Sequence, residues 1–237
     1  KVAVEKFIGF GMPDAPAGVA AENISGKVKI SWNPVVTAAD GGFIDVAAVT
    51  YTVKRVQDDV VVAENVTATS IEDIPDVSAG MAALSYTVSA VNHGYASETS
   101  ESNKVVCGTA LLPWSEDFKS EESIGFFTVI DGNEDGKTWE YVSGLVRVKY
   151  GSVDMDDWLI SPPLSLEGGK MYYATFKARS SNDRYPEKIE AKWGAGSGVA
   201  DMTNPLVAPT TLGGEYQTLG GFIKPSVSGV YHLGLHG

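Results

Sequence analysis

The residues best suited to chemistry lie in the stretch Asp131-Gly-Asn-Glu-Asp-Gly136. Asp131, Asn133 and Asp135 carry side-chain oxygens at every second position, and a tightly curled loop brings such oxygens towards one centre. Gly136 closes the stretch and permits the left-handed backbone turn that this curl requires. Because calcium prefers a shell of oxygen ligands, the spacing predicts a structural Ca²⁺ site at Asp131, Asn133 and Asp135.

The same stretch also suits a plain turn, because Asp and Asn bond to their own backbone and tolerate left-handed conformations. It is not an EF-hand, since Val142 stands where an EF-hand loop needs its bidentate Glu. Glu140 and Asp117 are candidates to complete a calcium shell, and the spacing does not select between them. Calcium binding and turn formation therefore both remain open at this point.

The remaining residues do not form a recognisable catalytic motif. The glycine-rich segment Gly194-Ala-Gly-Ser-Gly198 lacks the Lys-Ser or Lys-Thr ending of a phosphate loop. His93, His232 and His236 accompany no Ser or Cys motif that would make one of them a general base. We therefore expect that this chain is not an enzyme.

Aromatic side chains in the second half of the chain are the candidates for ligand binding. Rings of this kind stack on sugar rings when they are exposed in a groove, although core packing is the common alternative for any one of them. The candidate ligand-binding residues are Trp139, Tyr141, Tyr185 and Trp193.

Composition and charge exclude several classes of function. The 26 glycines and 11 prolines among 237 residues favour short strands joined by tight turns. The net charge of −12 repels phosphate backbones and anionic lipid, so we expect no nucleic-acid partner. No apolar run approaches the roughly 20 residues that cross a bilayer, so no membrane insertion is expected. Cys107 is the sole cysteine, so core packing, with or without a metal, must replace internal disulfides.

Apolar residues alternate along short segments between Pro13 and Ala110 and predict roughly seven strands. The segments Ile30-Ser-Trp32-Asn-Pro34, Tyr51-Thr-Val-Lys-Arg55 and Tyr86-Thr-Val-Ser-Ala-Val-Asn92 resemble a fibronectin type III module. The resemblance implies an immunoglobulin-like two-sheet sandwich over residues 13–110. It also implies that Trp32 lies in the core and that the Tyr86 hydroxyl braces the corner before a later strand. Residues 1–12 are then the tail of a preceding module and a linker.

The segment from Leu111 onward has denser aromatic and acidic residues and is predicted to be a separate all-β domain. Its motifs Pro113-Trp-Ser-Glu-Asp-Phe118, Asp156-Asp-Trp-Leu-Ile-Ser-Pro162 and Gly229-Val-Tyr-His-Leu-Gly-Leu-His236 resemble the cleaved adhesin or choice-of-anchor J modules, relatives in fold of the MAM domain. The resemblance implies a jelly-roll β-sandwich over residues 111–237. Modules of this type continue to a further strand, so we expect the last strand to be lacking at Gly237.

The pair of modules resembles a surface or secreted protein of the Bacteroidetes, where such pairs accompany adhesins, haemagglutinins and secreted hydrolases. We therefore predict a non-catalytic, bacterial extracellular or cell-surface region that is a monomer. In this interpretation the jelly-roll module binds a glycan or a host protein, and the fibronectin III-like module is a spacer. The alternative is an accessory stalk of a secreted protease or glycosidase whose catalytic domain lies elsewhere in the precursor.

Overall fold

A computed structural model describes residues 9–24, 26–149, 151 and 153–237 of the chain. Within these ranges the protein is almost entirely β, with twenty strands and three short 3-10 helices at Val46–Ala48, Glu121–Phe126 and Val199–Asp201. The chain divides into two compact units, with the boundary between Gly108 and Thr109. The predicted all-β fold class, a fibronectin III-like sandwich followed by a jelly-roll β-sandwich, is confirmed. Most of the predicted tail at residues 1–12 lies outside the described residues.

The first unit contains ten short strands. They are β1 (Ala20–Ile24), β2 (Lys27–Ser31), β3 (Thr50–Arg55), β4 (Val61–Val66), β5 (Ser70–Asp73), β6 (Ala82–Leu84), β7 (Tyr86–Asn92), β8 (Tyr95–Ala96), β9 (Ser100–Glu101) and β10 (Val105–Cys107). Among the described residues the unit has three sheets: β1-β2-β5, β4-β3-β7-β8 with β9 also paired to β7, and the two-stranded β10-β6. All of these pairings are antiparallel, which is the arrangement of a fibronectin III-like sandwich.

The core of the first unit follows the alternation of its strands. Val28 and Ile30 on β2 are fully buried, and Trp32, just beyond this strand, is 4% exposed. The Trp32 ring meets Tyr51 edge-on at 5.2 Å between centroids. The Tyr51 hydroxyl in turn accepts the Val35 backbone N–H at 2.8 Å. Trp32 is therefore a core residue, as the resemblance implied, and not an exposed ligand platform.

The Tyr86 hydroxyl belongs to a buried charged network. It donates to the Asp73 carboxylate at 2.8 Å, and Arg55 donates to the same carboxylate at 2.6 Å. Burial and the Asp73 carboxylate raise the pKa of Tyr86, although Arg55 opposes this rise. The network fixes β7 against β3 and β5, because its three residues lie one on each of these strands.

The second unit contains the remaining ten strands. They are β11 (Thr128–Asp131), β12 (Trp139–Tyr141), β13 (Val146–Val148), β14 (Asp157–Ile160), β15 (Leu164–Leu166), β16 (Tyr172–Ala178), β17 (Glu187–Gly194), β18 (Asn204–Leu212), β19 (Gln217–Ile223) and β20 (Gly229–His236). The main sheet has the order β11-β14-β20-β17-β18, with β15 also paired to β20. β12 and β13 form a hairpin, and β16 and β19 form a separate two-stranded ribbon.

Residues of β14 form the centre of the second core. Trp158, Leu159 and Ile160 are at most 4% exposed, so this strand is buried on both faces. Met202 packs against Trp158 and Ile160. The apolar run Phe126-Phe-Thr-Val-Ile130 predicts a strand over its whole length, but β11 begins at Thr128, because Phe126 ends a 3-10 helix whose first turn is capped by the Ser120 side chain. No helix among the described residues is long and apolar enough to span a bilayer.

Candidate functional site

The Asp131–Gly136 loop begins where β11 ends and is closed by its own side chains. The Asp131 carboxylate accepts the backbone N–H groups of Asp135 at 3.2 Å and of Gly136 at 2.8 Å. The Asn133 side-chain oxygen also accepts the Asp135 N–H, at 3.1 Å. Gly136 has a left-handed φ of 75°, as the spacing predicted. The loop is thus curled, with all three predicted oxygen-bearing side chains turned towards its backbone.

A neighbouring segment anchors the loop from the other side. The Gly132 N–H donates to the Asp156 carbonyl at 2.7 Å. A Cβ at Gly132 would lie 2.4 Å from that carbonyl oxygen, so the close approach of the two segments requires glycine. The Asn133 side-chain nitrogen donates to the Asp154 carbonyl at 2.8 Å, and this bond leaves its oxygen facing the loop. The loop and residues 154–157 therefore form one local structure.

Asp157 is the residue that this arrangement adds to the predicted site. It faces Asp131 directly across the β11–β14 ladder. It is 1% exposed, and neither of its carboxylate oxygens has a hydrogen-bond partner among the described residues. A buried, unpartnered carboxylate costs several kcal/mol of folding free energy. Among the described residues, this cost is therefore not offset by a hydrogen bond to either oxygen.

The charges around Asp157 also disfavour its ionised form. Burial raises the pKa of its carboxyl, the Thr138 hydroxyl opposes this rise, and the carboxylates of Asp131, Asp135 and Asp156 add to it. The Thr138 hydroxyl is buried beside this carboxyl, but within the described residues the two groups do not form a hydrogen bond of normal geometry. Negative charges are thus concentrated around a carboxylate that water does not reach.

The donor set fits a hard cation such as Ca²⁺. Each carboxylate offers about four lone-pair sites, so Asp131 and Asp135 keep free acceptor capacity after their turn hydrogen bonds. In the conformation described, no three Asp, Glu, His or Cys side chains in residues 9–24, 26–149, 151 and 153–237 already stand at metal-binding separations. The two residues left open as further ligands are occupied elsewhere: Glu140 pairs with Arg147 and Asp117 with Lys119. Asp157 is a further carboxylate beside the loop that is not paired with a cation among the described residues.

The four predicted ligand-binding aromatics lie on β12, on β17 and in the loop before β17. Trp139 is half-buried on β12, and its indole N–H donates to the Asp157 carbonyl at 3.1 Å. Tyr141 is half-buried on the same strand, and its hydroxyl donates to the Lys119 carbonyl at 3.3 Å. Trp193 on β17 is half-buried and packs on Tyr231 at 5.6 Å. Tyr185, in the loop before β17, is the exposed one of the four, at 58%.

The histidines are engaged in contacts within each unit. His93 stacks on Phe10 at 3.7 Å and faces the Asp45 carboxylate at 3.1 Å. His236 stacks on Trp158 at 4.3 Å, and its two ring nitrogens each lie 2.9 Å from a carboxylate, one of Glu190 and one of Asp156. His236 thereby ties β20 to β17 and to the segment that anchors the loop.

Comparison with known proteins finds similarity only at the level of structure. No family model matches the sequence, and no curated protein matches it. A cleaved adhesin domain of Lys-gingipain from Porphyromonas gingivalis has a TM-score of 0.40 at 17% identity, covering 52% of this chain and 86% of that one. A fibronectin III-like protein from Clostridium thermocellum has a TM-score of 0.30 at 23% identity, covering 44% of this chain and 100% of that one.

A third similar structure, titin kinase with its flanking domains, has a TM-score of 0.32 at 19% identity. The match covers 41% of this chain but only 17% of the titin structure. We assign the fold from the strand order and burial of the chain itself.

Proposed function

We propose that this chain is a non-catalytic extracellular adhesion region whose jelly-roll unit is stabilised by calcium. In this proposal the second unit binds a glycan or a host protein, and the fibronectin III-like unit is a spacer. The sequence motifs of the two modules support a setting in a surface or secreted protein of the Bacteroidetes. Asp131, Asn133, Asp135 and Asp157 would hold the ion.

The observation that carries the calcium proposal is the Asp157 carboxylate. Both of its oxygens are buried and have no hydrogen-bond partner among the described residues, and its backbone is paired with that of Asp131. Formation of a turn alone does not require a buried carboxylate beside the loop. A bound divalent cation would neutralise this cluster and supply the missing positive charge.

The role of the cation would be structural, because the loop joins β11 to the β12–β13 hairpin at the edge of the main sheet. Binding to the folded state alone stabilises a protein by RT ln(1 + [L]/Kd), which is about 2.7 kcal/mol at a free concentration about a hundred times Kd. With Cys107 as the only cysteine, the chain has no internal disulfide to fulfil this role. Calcium would therefore act as the crosslink of the second unit.

Adhesion is tested by presenting the calcium-loaded chain to a glycan array and to immobilised extracellular matrix proteins. Selective retention by a glycan or a protein is the expected result. If the folded, calcium-loaded chain binds neither, the adhesion proposal is wrong. If, in addition, the full precursor encodes a protease or glycosidase domain, the chain is an accessory stalk of that hydrolase.

A further inference from the structure

The β16–β19 ribbon of the second unit is a two-stranded sheet, and the residues along one of its faces are exposed. Every second residue of β16 is exposed, and the pairing register places these residues opposite alternate residues of β19. We call this face the outward strip. Its principal residues are Tyr173, Lys177, Arg179, Tyr216, Thr218 and Phe222.

Aromatic rings lie at both ends of the outward strip. Tyr173 and Phe222 are direct partners in the register, 63% and 65% exposed, with ring centroids 4.9 Å apart. At the other end, Tyr216 is 57% exposed, and the Arg179 guanidinium lies 5.1 Å from its ring centre. Because a strand rises about 3.3 Å per residue, Tyr173 and Arg179 are about 20 Å apart.

The middle of the outward strip has no aromatic side chain and is polar. Thr175 faces Gly220, and Lys177 faces Thr218. A Cβ at Gly220 would lie 2.3 Å from the Ala174 carbonyl oxygen, so this position excludes any side chain. The strip is therefore a trough with an aromatic group at each end and hydroxyl and ammonium groups between them.

The charge of the outward strip is opposite to that of the protein. It carries Lys177 and Arg179 and no acidic residue, in a chain of 18 basic and 30 acidic residues. Neither cation forms a salt bridge within the described residues, whereas Arg55 and Arg147 each pair with a carboxylate. The Arg179 Nη1 atom donates to the backbone carbonyls of Ser180, Ser181 and Gly214 at 3.3–3.5 Å, but within the described residues no carboxylate neutralises either cation. Both positive charges are therefore available to an external anion.

We propose that the outward strip binds an oligosaccharide that carries carboxylate or sulfate groups. The aromatic rings offer flat apolar faces to the C–H faces of sugar rings, and Thr175, Lys177 and Thr218 offer hydrogen bonds to sugar hydroxyls. The guanidinium of Arg179 has the planar fork that matches a carboxylate or sulfate. This inference deepens the proposed adhesion function and rests on it.

A long polyanion such as a nucleic acid fits this surface less well. The net charge of −12 repels a long phosphodiester chain. A short acidic oligosaccharide on the strip is screened from the more distant carboxylates, because the Debye length is about 8 Å at physiological salt. An acidic glycan is therefore the occupant that the strip favours.

The test is a calorimetric titration of the calcium-loaded chain with three probes: an oligogalacturonide that carries carboxylates, a carrageenan oligosaccharide that carries sulfates, and neutral maltohexaose. We expect at least one acidic probe to bind about tenfold or more tightly than maltohexaose, and the better one identifies the anion. The Phe222→Ala and Arg179→Gln variants should each weaken that binding about tenfold, which corresponds to about 1.4 kcal/mol. Tyr95→Ala, at an exposed tyrosine of the first unit, and Lys104→Gln are the matched controls and should bind like the wild type.

Several outcomes would overturn the inference, provided that thermal melting shows each variant to be folded. Equal binding of neutral and acidic probes would refute the role of charge. Acidic-glycan binding that both strip variants retain would place the site elsewhere and leave the adhesion function standing. Binding of the immobilised matrix proteins and of no glycan would refute the glycan as the ligand and leave the adhesion function standing. Retention of no ligand of any kind would end both proposals.

Discussion

Replacing Asp157 with Asn should have opposite effects on stability with and without calcium. In chelator, the wild type holds a buried carboxylate whose two oxygens have no partner among the described residues. Asn keeps the shape and removes the charge, although its amide is also left unpaired at a cost of about 1–3 kcal/mol. Because an unpaired buried charge costs more than an unpaired amide, the variant should be more stable in chelator by about 1–3 kcal/mol.

In calcium the order should reverse. At free calcium about a thousand times Kd, the wild type gains about 4 kcal/mol, and the variant loses most of this gain because a carboxylate ligand is missing. For a unit of this size, 1 kcal/mol corresponds to about 3 °C in Tm. We therefore expect Asp157→Asn to melt about 3–9 °C above the wild type in chelator and below it in saturating calcium.

Differential scanning calorimetry of the full chain, in chelator and across a calcium series, provides the assay. Asp117→Asn is the matched control, because this carboxylate lies in the same unit, is exposed and contacts only Lys119 and its own segment. The control should follow the wild type in both conditions. The reasoning is refuted if Asp157→Asn is less stable than the wild type in chelator, or if calcium raises the Tm of both proteins equally.

Three further perturbations test the packing of the two units. Tyr86→Phe removes the buried hydrogen bond to Asp73 and should lower the free energy of unfolding by about 1–2 kcal/mol in urea denaturation at pH 7. Because the pKa of Tyr86 is raised in the folded state, the hydroxyl stabilises the fold fully below the unfolded tyrosine pKa of about 10 and less above it. The difference in stability between the wild type and Tyr86→Phe should therefore shrink at alkaline pH. Gly194→Ala would place a Cβ 1.7 Å from a backbone carbonyl and should destabilise by about 1–3 kcal/mol or more, whereas Gly125→Ala, which meets nothing within 4 Å, should be near neutral by the same denaturation curves. Leu159→Ala, at a side chain 1% exposed, should lower the free energy of unfolding by about 2–5 kcal/mol, and a loss below 1 kcal/mol would contradict the core described.

Strands in which apolar and polar residues alternate were predictable from the sequence, because one face of each strand is buried and the other is exposed. Val28, Ile30 and Trp32 follow this rule in the first unit, and the predicted bounds of β16 agree with the structure. β18 was not predicted, because Pro205 and Pro209 argue against a central strand. The structure places β18 at the edge of the main sheet, where proline is tolerated.

The candidate site was predictable only in part. The spacing of Asp131, Asn133 and Asp135 identified the loop, since those residues are close in sequence. Asp157 lies far from them along the chain, and the adjacent carboxylates of Asp156 and Asp157 suited a turn as well as a supporting role beside a metal. Only the register of β11 against β14 shows that Asp157 is paired with Asp131. The signal in the sequence was an aspartate at the head of the wholly apolar run Trp158-Leu-Ile160.

The outward strip was missed for a related reason. Sequence reasoning selected aromatic residues singly, whereas Tyr173 and Phe222 become one surface only through the pairing of β16 with β19. The adjacent glycines Gly220 and Gly221 interrupt the alternation of β19 and concealed that strand. Of the four aromatics that were selected, Trp139, Tyr141 and Trp193 are half-buried packing residues.

A crystal structure of the chain grown in calcium tests the proposed metal site most directly. We predict an ion with Asp131, Asn133, Asp135 and Asp157 among its ligands, at the oxygen distances of about 2.3–2.6 Å that are typical of calcium. A structure at saturating calcium in which the loop is closed by its turn hydrogen bonds alone, with Asp157 paired to a protein donor or to water, would contradict it.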